Sequence, residues 1–326
     1  MRRLISFLLA VFLLIILCSC ELSYQAPAVG KMRILVFGND YSYGNAVYYF
    51  DDDHNEKQLM INGLPAAASR LYKTENDALQ VGNALSALSE KAGQEYQIIS
   101  LTSDMDVTDT RLVDELKAMA GLTAENDITI IYYSGHGFGG KTKLAYGCDT
   151  STCSYLAPRY SERPDSSVLL PVSDFLALVD SIKGIKIVIG DFCYSGSLVQ
   201  SNNFSVTSGE YLQMDAACLF AEYRDEIREN PSLFCLSASR YYELSYEYQN
   251  EDRYGNPLPK HGNFTYALLE ALGWDEENQC LKVAAAGKDN RITLSDIAGY
   301  IIANDGRPEQ NPMVSGGSND IVLFSF

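Results

Sequence analysis

The sequence predicts an α/β fold with a mainly parallel sheet flanked by helices on both faces. Short apolar runs rich in Ile, Val and Tyr and bounded by glycine are typical of buried strands. These runs alternate with longer segments whose apolar residues recur at helical spacing, and such alternation favours parallel pairing. The chain has 326 residues, of which 47% are hydrophobic, enough for a folded core. No low-complexity run divides residues 31–326, so we expect one domain.

The strands and helices are predicted in a regular order along the chain. Segment 74–91 has an Asn- and Asp-rich start followed by leucines at helical spacing, and segment 108–121 has an apolar face of the same period. A long loop is predicted at 138–171, where it could cover the site. The last strand is expected to continue the same sheet. The predicted strands are 31–38, 96–101, 128–133, 185–189, 231–238 and 320–326, and the predicted helices are 74–91, 108–121, 173–183, 263–272 and 294–304.

Two of the predicted strands end in residues with nucleophilic or acid–base chemistry. His136 follows strand 128–133 between two glycines, and Cys193 follows strand 185–189. Parallel α/β sheets bind ligands at the carboxyl ends of their strands, so these residues are candidates for one site. A thiolate that attacks a carbonyl, with a nearby imidazole to handle the proton, carries out acyl transfer. Either residue alone would more often be structural, and it is their joint placement that favours catalysis.

Five short segments form a pattern with a known precedent. In chain order they are Glu75-Asn-Asp-Ala78, Tyr133-Ser-Gly-His-Gly137, Asp191-Phe-Cys-Tyr-Ser-Gly196, Leu236-Ser-Ala-Ser-Arg240 and His261-Gly-Asn-Phe-Thr265. Together they resemble the caspase-like cysteine peptidases, the group of caspases, metacaspases and their bacterial relatives. The resemblance covers about residues 31–326 and implies a caspase-like three-layer sandwich. Its parts would be 31–197 (large-subunit-like), 198–230 (linker region) and 231–326 (small-subunit-like).

The resemblance implies the roles of the catalytic residues. Cys193 would be the nucleophile, and His136 the general acid and base that protonates the leaving amine. The backbone N–H groups of Gly137 and Cys193 would form the oxyanion hole. The family largely acts through a dyad, so no third orienting residue is predicted. This chemistry requires no cofactor.

The resemblance also implies a pocket for the residue before the cut. Asp191, two residues before the cysteine, and Asp77 match acidic positions of metacaspases, and Ser134 would add a hydrogen bond. Two carboxylates in a desolvated pocket favour Arg or Lys, because a buried cation needs charge compensation. The alternative is that Asp77 is an ordinary residue at a helix amino terminus.

The formal charge of −17 bears on the partners of the chain. Nucleic acid binding needs clustered Lys and Arg, so we expect no nucleic acid partner. The aspartates at 51–53 and Glu56 could bind Ca²⁺, on which some metacaspases depend, but their spacing is not that of an EF-hand, and a solvated turn is the preferred interpretation. No metal site is predicted, because the chain has only three histidines and no paired C-x-x-C motif. His54 and His261 are expected to be structural or exposed.

Residues 1–20 predict a bacterial lipoprotein signal peptide. Two arginines precede an apolar run at 4–17 that is too short for a comfortable membrane span. The sequence Leu-Cys-Ser-Cys that ends at Cys20 resembles a lipoprotein cleavage box, with Cys20 as the lipidated residue and Cys18 as a competitor. Residues 21–30 would be a short tether. The domain is therefore predicted to be extracytoplasmic and lipid-anchored to the bacterial cell membrane, with an uncleaved amino-terminal anchor as the alternative.

The other cysteines do not define a disulfide framework. Eight cysteines are present, and after the leader and the proposed nucleophile an odd number remains. Cys148 and Cys153 lie in one loop and could close a small ring. Segment 215–229 predicts a helix whose apolar stripe fits core packing better than a partner site. The remaining cysteines are predicted to be buried: Cys218, Cys235 and Cys280.

These observations predict a cysteine endopeptidase that hydrolyses peptide bonds after Arg or Lys, through a thioester intermediate on Cys193. The alternative is a catalytically silent caspase-like module that binds peptides or partner proteins at the cell envelope. The presence of both reactive residues and their neighbouring glycines favours the enzyme. A weaker alternative is a gingipain-like or legumain-like peptidase with the same dyad and a different pocket.

Overall fold

The structure is a computed structural model. It describes residues 30–43, 46–51, 53–139, 154–201, 232–250, 254, 257–284, 286–305, 307–315 and 321–326. The predicted leader with Cys18 and Cys20, the loop cysteines Cys148 and Cys153, Cys218, and the helix predicted at 215–229 lie outside these residues.

A six-stranded sheet runs through the described part of the chain. From one edge to the other its strands are Met313–Val314, Leu233–Ser237, Ile185–Asp191, Ile128–Ser134, Met32–Gly38 and Tyr96–Leu101. Neighbouring strands are parallel except for the first pair, which is antiparallel. Every residue of Met32–Gly38 and of Ile128–Ser134 is buried. Burial on both faces explains why these strands are continuous apolar runs in the sequence.

Helices cover both faces of this sheet. The described helices are Thr74–Lys91, Asp109–Leu122, Val172–Asp180, Ser197–Ser201, Asn263–Leu272 and Leu294–Asn304. The first, fifth and sixth pack in one apolar cluster with Ile130 and Ile187, and the second and third pack in another with Ile131 and Val188. Successive residues of a strand point to opposite faces, so the two clusters lie on opposite sides of the sheet. The predicted three-layer sandwich is confirmed.

The prediction that the last strand continues the central sheet is wrong. Val322–Ser325 pairs instead with Arg291–Thr293, in a separate antiparallel sheet. The edge of the central sheet is occupied by Met313–Val314. The next residue, Ser315, extends this pairing, because its backbone N–H donates to the carbonyl oxygen of Cys235 at 2.9 Å. The hydrogen-bonding positions along this side of Leu233–Ser237 are therefore occupied by Met313–Val314 and Ser315, and not by Val322–Ser325.

Several short strands form in segments for which the sequence predicts no strand. Most of them have two or three residues, too few to show an alternating apolar pattern. One of them carries Cys280, which is exposed, so the prediction that Cys280 is buried is wrong; Cys235, in the central sheet, is buried as predicted. The short strands are Ala46–Phe50, Glu56–Gln58, Met60–Ile61, Leu64–Pro65, Gly137–Gly139, Ser154–Leu156, Arg159–Tyr160, Arg163–Val168, Leu170–Pro171, Trp274–Asp275 and Cys280–Leu281.

Candidate active site

Two central strands bring the predicted catalytic residues to the same edge of the sheet. Ile128–Ser134 and Ile185–Asp191 are parallel, and their last residues are paired. His136 and Cys193 each lie two residues beyond this pair, and both line one cleft of about 90 Å³. The predicted specificity residues line the same cleft: Asp77, Ser134 and Asp191.

The loops that follow these two strands pack directly on each other. A Cβ atom on Gly137 would lie 2.0 Å from the carbonyl oxygen of Cys193 and 2.5 Å from the ring of Phe192, so only glycine fits. Tyr194, the residue after the cysteine, has a φ of 64°, which is uncommon for a residue with a side chain. Its N–H donates to the carbonyl oxygen of Glu243 at 2.8 Å. The cysteine therefore lies in a sharp turn that is held from both sides.

The ring of His136 is oriented by a backbone carbonyl that the sequence does not reveal. Its Nε2 lies 2.6 Å from the carbonyl oxygen of Ser69. Because a carbonyl can only accept, Nε2 carries the hydrogen and Nδ1 keeps its lone pair. The ring of Tyr41 packs on the imidazole with centroids 4.5 Å apart, and the Tyr41 hydroxyl accepts from the His136 backbone N–H at 2.8 Å. Burial lowers the pKa of His136, although the bond to Ser69 opposes this, so the ring is a neutral base.

Cys193 is half-buried and carries a protonated thiol. Its Sγ lies 3.6 Å from the carbonyl oxygen of Ser245, to which the thiol donates. Burial raises the pKa of the Cys193 thiol, and the negative charge of Asp191 raises it further. The predicted nucleophile is therefore a thiol near neutral pH, and a base must take its proton before the sulfur can attack a carbonyl.

The floor of the cleft contains two buried carboxylates. Asp191 accepts from the hydroxyls of Ser245 and Thr265, each at 2.6 Å. Burial, and after it the charge of Asp191, raises the pKa of Asp77 to about 7. Burial also raises the pKa of Asp191. A Cβ atom on Gly262 would lie 2.6 Å from an oxygen of Asp191 and 3.3 Å from one of Asp77, so both carboxylates converge on this glycine.

Asp77 does not act as a helix cap. Asp77 lies in the first turn of the helix Thr74–Lys91. In that turn the backbone N–H of Glu75 donates to the side chain of Asp40 at 2.9 Å, and not to Asp77. The carboxylate of Asp77 turns instead toward the cleft, where it accepts from the Gly262 N–H at 3.2 Å. The interpretation of Asp77 as an ordinary residue of a helix amino terminus therefore does not describe its contacts.

A third carboxylate and a histidine belong to this region and were not predicted. Glu247 lines the cleft and accepts from the backbone N–H of Lys73 at 3.0 Å. Burial raises its pKa. His261 is buried, which fits the first of its two expected states, structural or exposed, and its Nδ1 lies 2.8 Å from Asp77. Glu247 lies in a segment without a motif, so no signal in the sequence points to it, whereas His261 opens a segment on which the resemblance rests. His54 is exposed.

The acidic turn near residue 51 is bound to protein groups. Asp51 accepts from the backbone N–H of Asn55 at 2.8 Å, and Glu56 pairs with Arg163 at 2.6 Å. Asp52 lies outside the described residues. In the described ranges no three His, Cys, Asp or Glu side chains are grouped so as to hold a metal ion. The preferred interpretation, a solvated turn, stays a prediction, and calcium binding stays its untested alternative.

Comparison with a family model identifies the family of this chain. Residues 59–315 match the family model described as the caspase domain. The chain belongs to the caspase-domain family of peptidases. The family relationship implies protein or peptide substrates, and the predicted caspase-like resemblance is confirmed. Among solved structures, the chain is similar to a protein from Geobacter sulfurreducens at 15% identity, with a TM-score of 0.49 and coverage of 88% of this chain and 94% of that one. No curated protein matches the sequence.

The thiol environment of this caspase-domain protein predicts a pH profile for alkylation. Because the pKa of Cys193 is raised, little thiolate exists near neutral pH, and its alkylation by iodoacetamide should still increase above pH 9.0, the ordinary thiol value. Peptide mass spectrometry can follow Cys193 and the exposed Cys280 in the same sample, with Cys280 as the internal reference. A plateau for Cys193 at acidic pH would instead indicate a thiolate–imidazolium pair.

Proposed function

We propose that this protein is a cysteine endopeptidase that cleaves after Arg or Lys. One observation carries the proposal: a thiol, a neutral imidazole and buried carboxylates line a single cleft at the carboxyl ends of adjacent parallel strands. The thiol and imidazole supply the chemistry of acyl transfer, and the carboxylates supply a site for a cation.

The contacts of the dyad support a defined order of proton transfers. Nδ1 of His136 takes the proton of the Cys193 thiol, because Nε2 already donates to Ser69. The sulfur forms a bond to the substrate carbonyl carbon, and the N–H groups of Gly137 and Cys193 hold the oxyanion. The C–N bond then breaks, His136 returns its proton to the leaving amine, and a thioester remains. Water, deprotonated by His136, hydrolyses the thioester and restores the thiol.

The charges of the cleft support a preference for Arg or Lys. Asp77 and Asp191 are 1% and 6% exposed, and Glu247 adds a third carboxylate. Carboxylates with raised pKa values are poorly compensated by the protein's own groups, so an entering cation relieves their repulsion. An aspartate side chain in the same place would add to that repulsion. The Ser134 hydroxyl donates to Asp77 at 3.4 Å, a weak bond that leaves Asp77 able to accept from a substrate.

A catalytically silent binding module is the second candidate. It is favoured by the contact between the Cys193 thiol and the Ser245 carbonyl, and by the raised pKa of that thiol. Such a module would bind cationic peptides in the same cleft without hydrolysing them. The measurements below separate the two candidates.

We further propose that the mature protein is extracytoplasmic and held at the bacterial membrane by a lipid on Cys20. Among the described helices none is long and apolar enough to cross a bilayer.

The dyad is tested by single substitutions. Cys193→Ala and His136→Ala should each reduce hydrolysis of Arg peptides by about 10³-fold or more, because residues that act as a unit lose nearly everything together. Fluorogenic peptides measure the loss, and circular dichroism checks the fold. Cys280→Ala, at an exposed cysteine, is the matched control and should keep full activity. Hydrolysis by the Cys193→Ala protein would rule out the mechanism, and hydrolysis by none of the proteins would favour the silent module.

The pocket is tested by varying the residue before the cut. Peptides with Arg or Lys there should be hydrolysed and those with Asp should not. Asp191→Asn should reduce kcat/KM for Arg peptides at least tenfold, since a buried charge that loses its partner costs about 2 kcal/mol or more. The control is Asp114→Asn, at an exposed aspartate of the Asp109–Leu122 helix. Cleavage after Asp and not after Arg would overturn the proposed pocket.

The anchor is tested by exchanging the two leader cysteines. If Cys20 carries the lipid, Cys20→Ser should release the protein from membranes or leave an uncleaved precursor, while Cys18→Ser should have little effect. Detergent phase partitioning and immunoblotting measure both outcomes. Partitioning that depends on Cys18 alone would place the cleavage box elsewhere.

A further inference from the structure

A buried histidine joins the floor of the cleft to a second carboxylate outside it. The side chain of His261 is 3% exposed and lies between Asp77 and Glu276. Its Nδ1 is 2.8 Å from Oδ1 of Asp77, and its Nε2 is 2.9 Å from Oε2 of Glu276. Glu276 does not line the cleft that holds Cys193; it lies in a neighbouring cleft, and its side chain is 34% exposed.

These contacts determine how many hydrogens the imidazole carries. An ionised carboxylate can only accept, so both ring nitrogens of His261 donate when Asp77 and Glu276 are ionised. A neutral imidazole has one N–H and would set a lone pair against one of the two carboxylates. Burial lowers the pKa of His261, but the hydrogen bonds and charges of Asp77 and Glu276 outweigh it and raise the pKa. The contacts and the charges therefore agree on an imidazolium.

We propose that His261 is a positioning residue of the specificity pocket, which, as an imidazolium between Asp77 and Glu276, favours the ionised form of the Asp77 carboxylate and fixes it toward the residue before the cut. This inference rests on the proposed cleavage after Arg or Lys. His261 is not among the described residues that line the cleft of Cys193, so it acts through Asp77.

The surroundings of Asp77 explain why it needs this cation. It is almost fully buried, and Asp191 acts on it with the same sign of charge. Both effects favour protonation, and a protonated Asp77 could not compensate a guanidinium. The backbone N–H of Gly262 and the hydroxyl of Ser134 also donate to Asp77, but they are neutral. His261 is the cationic hydrogen-bond donor among the described contacts of this carboxylate.

The charged and titratable groups around the pair set the sign of its pH dependence. Asp77 and Glu276 bond to His261, Asp191 acts on it through its charge, and Lys73 and Tyr132 act on Asp77. The raised pKa of His261 means that the folded protein keeps a proton that the unfolded chain loses. The contribution of the protonated His261 to the stability of the folded protein is therefore fully present below the ordinary histidine pKa. It is lost as pH rises through the raised pKa of His261.

The first test measures the imidazole directly and needs no enzymatic activity. Nitrogen-15 NMR should show both ring nitrogens of His261 protonated at pH 7.5, with the signal assigned by its loss in His261→Gln. Asp77→Asn and Glu276→Gln should each lower the titration midpoint. Glu277→Gln, at the exposed neighbouring glutamate, should leave it unchanged. A neutral His261 at pH 7, or equal effects of the two glutamate changes, would overturn the proposal.

The second test measures the pocket with agmatine, a guanidinium probe, on the Cys193→Ala protein by calorimetry. Adding His261→Gln should weaken binding at least tenfold at pH 7, because Asp77 without the imidazolium takes up a proton. The loss should shrink as pH rises, since Asp77 then ionises without help. A loss of the same size at every pH would indicate a merely structural role and overturn the proposal. Failure of the Cys193→Ala protein to bind agmatine would instead contradict the proposed function, while the NMR result still decides the state of His261.

Discussion

The in-register parallel pairing of Ile128–Ser134 with Ile185–Asp191 is the constraint on which the candidate site depends. Because the last residues of the two strands pair, the chain leaves both strands at the same height and on the same edge. A shift of one residue would turn the side chains that follow to the other face of the sheet. In this register the two loops approach so closely that a methyl group at Gly137 would overlap the carbonyl oxygen of Cys193. The core of the fold and the position of the dyad therefore have one cause.

The carboxylates of the cleft oppose folding, and their hydrogen bonds reduce that cost. An ionised carboxylate without partners is several kcal/mol less favourable in the interior than in water. Asp191 is compensated by two hydroxyls and Asp77 by a backbone N–H and an imidazole. The ammonium of Lys73 donates to the carbonyl of Pro259 at 3.0 Å, and its charge acts on Asp77 and Glu247. The proposed preference for Arg or Lys depends on the negative charge that these contacts leave uncompensated.

The sequence predicts the parts of this molecule whose signal is local. Buried strands and amphipathic helices follow from periodicity, and the dyad follows from two strands that each end in a reactive residue. Ser69 orients His136 through its main chain, which every residue type possesses, so its side chain carries no signal. Pairing partners are not local either, so the sequence does not reveal that Val322–Ser325 pairs with Arg291–Thr293. The contact of His261 with Asp77 joins residues 184 positions apart, so the sequence neighbours of His261 give no sign of it.

One segment, residues 243–248, links the parts of the site. The Glu243 carbonyl holds the turn after Cys193, the Ser245 carbonyl accepts from the thiol, and the Ser245 hydroxyl donates to Asp191. The same segment bonds to the backbone of His261 through the N–H of Tyr248, at 3.0 Å. Ser245 therefore contacts the thiol of Cys193 through its carbonyl and the carboxylate of Asp191 through its hydroxyl. In the proposed peptidase, one residue of this segment thus links the thiol that would attack the substrate to the carboxylate that would select it.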